Sequence, residues 1–358
     1  MRKWLLSLVV LSLILVGCQQ VEETTDSATE VVEIDSTSES YYKMINLGES
    51  ELRDNYYTKF SRTDDLVTIG RGLQILSSDY FSMSSYYMSE GQYLSLDNRK
   101  EFTTYYYSDD HPYSLELAKK DSLEGISGLD MVEDIHEQDY YKKSGNSYVI
   151  SGISFAIVVD PKTTDDQESV TLTDKTVEAY AEDAIEKLYE NLQEMDDFEE
   201  IQDIPILIAV YRRTDSSTSS YDGNYFLESY CNGSVGSFEE VDHQTVLFTS
   251  DEAEELDPTT YEEFLVIKSN LKEASYESSS IVGYGKYIDG VIQSMKIEAH
   301  INIKTYTEIL YLTTVIENNI DSKFSSSFTI KVYVYSQDDL VATIIKNIGE
   351  DPQTTFVE

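Results

Sequence analysis

Cysteine is scarce: in 358 residues only Cys18 and Cys231 carry a thiol. Cys18 closes an N-terminal apolar run, which leaves Cys231 without a partner and excludes an intramolecular disulfide from the folded body. Stability must then come from packing. Cys231 sits in Tyr230-Cys231-Asn232-Gly233, with no His or Cys at ligand or triad spacing, and reads as a small core hydrophobe. Basic residues are equally short: 26 Lys and Arg face 67 Asp and Glu, a formal charge of −41, and removal of Arg2 and Lys3 with a leader lowers it to −43. A field of that sign repels a phosphate backbone and an anionic membrane surface, so nucleic acid is excluded as a partner. The acidity reads as solubility outside a cell, with an acidic recognition surface as the alternative.

Catalytic signatures are missing too. The four histidines, His111, His136, His243 and His300, have no partners at metal or nucleophile spacing and read as satisfied surface residues. His136-Glu137 starts like a zincin motif, but Tyr140 stands where the second ligand belongs. Gly233-Ser234-Val235-Gly236-Ser237 lacks the spacing of a nucleophile elbow, and no P-loop, dinucleotide fingerprint or calcium loop occurs. No metal, cofactor or catalytic residue is therefore expected. A hydrolase reading rests only on abundant carboxylates; a deep pocket holding two carboxyls of raised pKa would favour it and shallow grooves would count against it.

What is present begins at the N-terminus. Arg2 and Lys3 precede an apolar run over 4–16, too short to span a bilayer, and the run ends in Leu15-Val16-Gly17-Cys18. This tetrapeptide matches the lipobox of bacterial lipoproteins, in which diacylglycerol is joined to the cysteine before cleavage ahead of it. Lipidation of Cys18, with cleavage between Gly17 and Cys18, follows from the match, and each buried methylene of the acyl chains would contribute about 0.8 kcal/mol to anchoring. The implied partners are a diacylglyceryl transferase, signal peptidase II and the membrane itself. The implied place is the outer face of the cytoplasmic membrane.

Four stretches follow from composition: a leader at 1–17, an acidic tether at 18–40, an N-terminal part of the ectodomain at 41–150 and a C-terminal part at 151–358. The tether carries seven acidic residues over 19–40 with no Lys, Arg, aromatic residue or Gly, and cannot bury enough apolar surface to offset chain entropy. Within 41–150 the pattern is mixed, with a weak helical period over 66–76. Beyond it, 153–159 and 204–211 read as buried strands, and Val177, Ala181, Ala184, Ile185, Leu188, Leu192 and Met195 mark a helix started at Thr173-Asp174. A strand at 246–249 and a helix over 259–274 come next. Asp289-Gly290 between 281–287 and the alternating Met295, Ile297, Ala299, Ile301 and Ile303 predicts a hairpin with one wet face. A helix at 305–319 and strands at 328–335 and 340–345 complete the chain. This order predicts an α+β fold with mixed and antiparallel sheets, helices packed on one face, and two similar α/β subdomains after an irregular N-terminal region. Tyrosine is in excess, at 29 residues. Half-buried core positions account for it, with a binding surface for extracellular peptides or glycans as the alternative.

Several segments carry a family likeness: Tyr86-Tyr87 before Glu90-Gly91-Gln92-Tyr93-Leu94; Glu137-Gln138-Asp139-Tyr140 leading to Gly152-Ile153-Ser154; Ile204-Pro205-Ile206; Asp222-Gly223-Asn224-Tyr225; and Val282-Gly283-Tyr284-Gly285. With the lipobox they resemble the CamS family of Gram-positive sex-pheromone precursor lipoproteins, over most of 41–357. The resemblance implies that the named activity resides in the discarded leader. In the prototypes a short apolar peptide just before the cysteine is released by further proteolysis and prompts enterococcal cells carrying a responsive plasmid to aggregate and conjugate, through a peptide receptor in the recipient. The matching positions are Leu11, Ser12, Leu13, Ile14, Leu15, Val16 and Gly17. Read without the resemblance, they are the apolar core of a leader.

Overall fold

The computed structural model describes residues 32–34, 41–52, 63–160, 162–165, 168–213, 223–275, 279–324 and 327–357. The leader, Cys18 and the lipobox lie outside them.

The first part of the chain builds one eight-stranded sheet. Its strands are β1 (Val32–Ile34), β2 (Lys43–Asn46), β3 (Tyr87–Glu90), β6 (Val132–Ser144), β7 (Ser147–Val159), β10 (Ile206–Arg212), β11 (Asn224–Cys231) and β12 (Phe238–Glu240), side by side in that order. Two small ribbons, β4 (Ser122–Leu123) with β5 (Ile126–Ser127) and β8 (Lys162–Asp165) with β9 (Glu168–Thr171), stand apart from it. Helix α1 (Thr63–Tyr80) precedes β3, α2 (Leu96–Phe102) follows it, and α3 (Asp174–Glu194) links β7 to β10.

The second part builds a six-stranded sheet from β13 (His243–Leu247), β14 (Ser279–Ile288), β15 (Val291–Ile301), β16 (Thr329–Ser336), β17 (Asp339–Lys346) and β18 (Gln353–Phe356), again in chain order. Helices α4 (Asp251–Leu256) and α5 (Pro258–Ser275) join β13 to β14, and α6 (Tyr306–Lys323) joins β15 to β16.

These two sheets repeat one plan. Strands β3, β6, β7, β10, β11 and β12 match β13 to β18 in order and direction: each neighbouring pair is antiparallel except the third, β7 with β10 and β15 with β16, which is parallel and bridged by a single helix. Two register breaks recur, both at a tyrosine: Tyr141 in β6 answers Tyr287 in β14, and Tyr211 in β10 answers Tyr335 in β16. The expected α+β class and paired subdomains are thus present.

The position of the division differs from expectation. The hairpin of β6 and β7 crosses residue 150, with Tyr141 paired to Ile150 and Ser144 to Ser147, so 41–150 and 151–358 are not separate bodies. The break falls between β12 and β13, near residue 241. The tether also differs: Val32–Ile34 pairs antiparallel with β2, because an extended segment meets open backbone donors and acceptors at a sheet edge. The described residues of 41–150 are not irregular: they supply β2, β3, β6 and the start of β7 to the first sheet.

Packing separates the two units. In the first, Ile153, Phe155, Ile157, Ile206 and Ile208 face α3, through Ala181, Ile185 and Leu188. The opposite face, with Ala156, Val158, Leu207 and Ala209, is covered by α1 through Ile69, Leu73 and Leu76. Among the described residues the second sheet is covered on one side only, where Met295, Ile297, Ile330 and Val332 meet Phe264 and Ile267 of α5 and Leu312 and Ile316 of α6. Helices on one face is the arrangement of this unit, whereas the first carries them on both. Thr173 caps α3 by accepting from Thr176 N–H, and a Thr305–Glu308 capping box starts α6, as the sequence signals require. Asp289 and Gly290, both at positive φ, form the predicted two-residue turn between β14 and β15.

Candidate functional site

Strand β6 carries a cluster of buried polar side chains, Asp134, His136, Glu137 and Asp139. Its partner is the loop between β3 and α2, residues 90–94. The Glu137 carboxylate accepts N–H bonds from Gln92 at 3.0 Å, Tyr93 at 2.9 Å and Leu94 at 2.6 Å. Asp139, on the same side of the strand, accepts a second bond from Gln92 N–H at 3.1 Å and one from the Tyr141 hydroxyl at 3.2 Å. Gly91 makes the approach possible, since a Cβ there would come within 2.6 Å of the Glu137 side chain. Ser95 then caps α2 by accepting from Asn98 N–H at 3.1 Å.

Burial raises the pKa of Glu137 against the pull of its three N–H donors. Burial and the Glu137 charge push Asp139 well above the ordinary carboxylate range. One carboxylate and one carboxylic acid in contact is the stable state of such a pair. Around it, Arg99 of α2 donates to Asp134, both buried, and Asp134 also accepts from Ile135 N–H at 2.8 Å. A second buried acid, Glu116, accepts from Met131 and Val132 N–H at 2.9 and 2.7 Å and from the Tyr180 hydroxyl; burial lifts its pKa to about 7.

A hollow of about 80 Å3 opens beside the pair, lined in part by Ser50, Gly70, Glu90 and His136. That is room for a few waters, far below the several hundred Å3 of a small-molecule site. The raised carboxyls that a hydrolase requires are thus present, with one of them held by three backbone donors. Among the described residues no group of three or more His, Cys, Asp or Glu has metal-binding geometry, and no helix is long and apolar enough to cross a membrane.

Two of the motifs singled out in the sequence meet here. Glu90-Gly91-Gln92-Tyr93-Leu94 and Glu137-Gln138-Asp139-Tyr140 are the two halves of one latch, and Gln138 ties it to α1 by donating to Gly70 O at 2.7 Å. Tyr225, of the 222–225 motif, donates to Ile69 O at 2.8 Å; Asp222 lies outside the described residues. Gly283 admits the Phe264 ring, which a Cβ would meet at 2.7 Å. Cys231 is buried as expected. His136 is buried instead of exposed, 3.6 Å from Asp134, because its strand is covered on both faces; His243 is half-buried beside the Tyr225 ring. Of the tyrosines, Tyr42, Tyr140, Tyr180, Tyr211, Tyr225 and Tyr287 are core residues. The sequence alone does not reveal the latch, the Arg99–Asp134 pair or the role of Glu116, because the inward carboxylates of β6 look like polar surface.

Fold and site together define a duplicated α/β protein in which signature residues lock loops to strands. The chain belongs to the CamS sex pheromone cAM373 precursor family, whose model matches residues 48–352. Its fold is that of the sex pheromone precursor of Lactobacillus salivarius subsp. salivarius, with a TM-score of 0.79 at 19% identity over 92% of this chain and 99% of that one. The C-terminal domain of the staph-cAM373 sex pheromone precursor of Staphylococcus aureus is similar, with a TM-score of 0.68 at 16% identity over 84% of this chain and 98% of that one. No curated protein matches the chain.

Proposed function

We propose that this chain is a lipid-anchored precursor of a short signalling peptide. The observation that carries the reading is Leu15-Val16-Gly17-Cys18 at the end of a basic-then-apolar leader, in a member of a pheromone precursor family. A diacylglyceryl transferase modifies Cys18 and signal peptidase II cuts after Gly17. The mature chain, carrying palmitate-type acyl groups, stays on the outer face of the cytoplasmic membrane. The discarded leader yields Leu11-Ser12-Leu13-Ile14-Leu15-Val16-Gly17, an apolar heptapeptide with one hydroxyl, suited to an apolar receptor pocket in a recipient cell about to conjugate.

Mass spectrometry of membrane and culture supernatant, comparing wild type with Cys18→Ala, tests this. A lipidated N-terminal fragment and a free 11–17 peptide, both absent from the variant, are expected. Lipidation without the peptide removes the signalling role, and an unlipidated Cys18 removes the anchor as well.

A further inference from the structure

The uncovered face of the second sheet differs in chemistry from the acidic chain around it. Lys296 on β15 stands directly opposite Lys331 on β16, and Lys286 on β14 lies on the diagonal from Lys296. Neighbouring strands are about 4.8 Å apart, and like charges set opposite one another destabilise a sheet. Glu298 Oε1 is 3.1 Å from Lys296 Nζ, whereas Lys331 is exposed and has no ion-pair partner among the described residues. Two and four residues along the same face of β16 come Tyr333 and Tyr335, half-buried, with the His300 ring stacked on Tyr335 at 5.0 Å.

The first unit shows what this face is not built for. There the matching face offers Ala156, Val158, Leu207 and Ala209 to α1. Lysines and tyrosines in those places suit an anion joined to a ring. Lysine binds phosphate as a point charge, whereas planar carboxylates are matched by the arginine fork, and 243–357 contains no arginine. A chain of −41 repels polyanions in general, so two lysines alone do not hold one and a ring contact must add to them.

We propose that this face binds a phosphate-diester polymer that bears sugar rings, with a phosphate over Lys296 and Lys331 and a sugar ring on Tyr333 or Tyr335. The proposal is independent of the leader's fate. Full-length protein in mild detergent is titrated at low salt with glucosylated poly(glycerol phosphate), alongside polygalacturonate and single-stranded DNA. Binding to the first polymer alone is expected, weakened about tenfold or more by Lys296→Glu with Lys331→Glu and also reduced by Tyr333→Ala, with the melting temperature checked for each variant. The milder Lys331→Ala keeps the test open should the double variant misfold. No binding by wild type, undiminished binding by folded variants, or equal binding of either control polymer would each overturn it.

Discussion

The two units share six strands, their order and their directions, yet one sheet is sandwiched between helices and the other is half bare. Strands β7 and β10 of the first unit run as unbroken buried stretches from Ile153 to Val159 and from Ile206 to Tyr211. Strand β15 of the second alternates, with Met295, Ile297, Ala299 and Ile301 inside and Lys296, Glu298 and His300 outside. Periodicity in the sequence therefore reports how many faces a strand buries and is silent about topology. The same plan is written in two different patterns, which is why no repeat is visible in the sequence.

The two units should part most clearly at Asp134. Asp134→Ala takes from the buried Arg99 guanidinium the carboxylate it donates to and should cost about 3–5 kcal/mol. Calorimetry should then show the first unit melting early and apart from the second; a single shifted transition would mean that the units unfold as one. Next comes Glu137→Ala, which strips an acceptor from Gln92, Tyr93 and Leu94 and should cost about 2–4 kcal/mol. Hydrogen exchange should quicken at those three amides and stay unchanged in β14 to β17.

Acidity should separate the units as well. Glu116 and Glu228 both titrate near 7 in the folded chain, through burial, against 4.5 when unfolded. A raised carboxyl holds its proton in the folded state, so its stability contribution is complete below pH 4.5 and is lost as pH rises to 7. Glu116 alone should make the first unit about 3 kcal/mol less stable across that window, while the second changes little; melting curves that rise with pH there would refute the assignment. Thr305→Ala, which removes the cap of α6, should destabilise the second unit alone by about 1 kcal/mol. The smallest effect is expected of Lys331→Ala, within about 0.5 kcal/mol and toward greater stability, since it removes one of two facing like charges.

Elements with a regular period are legible in the sequence: α3, α5 and α6 begin within one or two residues of their expected starts, and the Asp289-Gly290 hairpin stands where the turn residues place it. Strand β6 is not legible in the same way, because Asp134, Glu137 and Asp139 are buried against loop amides and an arginine that lie more than thirty residues away. A carboxylate answered by backbone N–H leaves no complementary side chain to find. The family motifs are recognisable as words, but their meaning as two halves of a latch needs the fold.

The topology also bears on how the chain reaches its folded state. In both sheets every strand lies beside one that precedes it in the chain, and none is inserted later between two already paired. The sheets can zip up in the direction of delivery. A chain threaded N-terminus first through a membrane channel need not wait for its last residues before the first unit closes, and its mostly local pairings favour rapid closure. The final strand, Gln353–Phe356, only adds an edge, so late arrival of the C-terminus leaves little sticky surface exposed on the way.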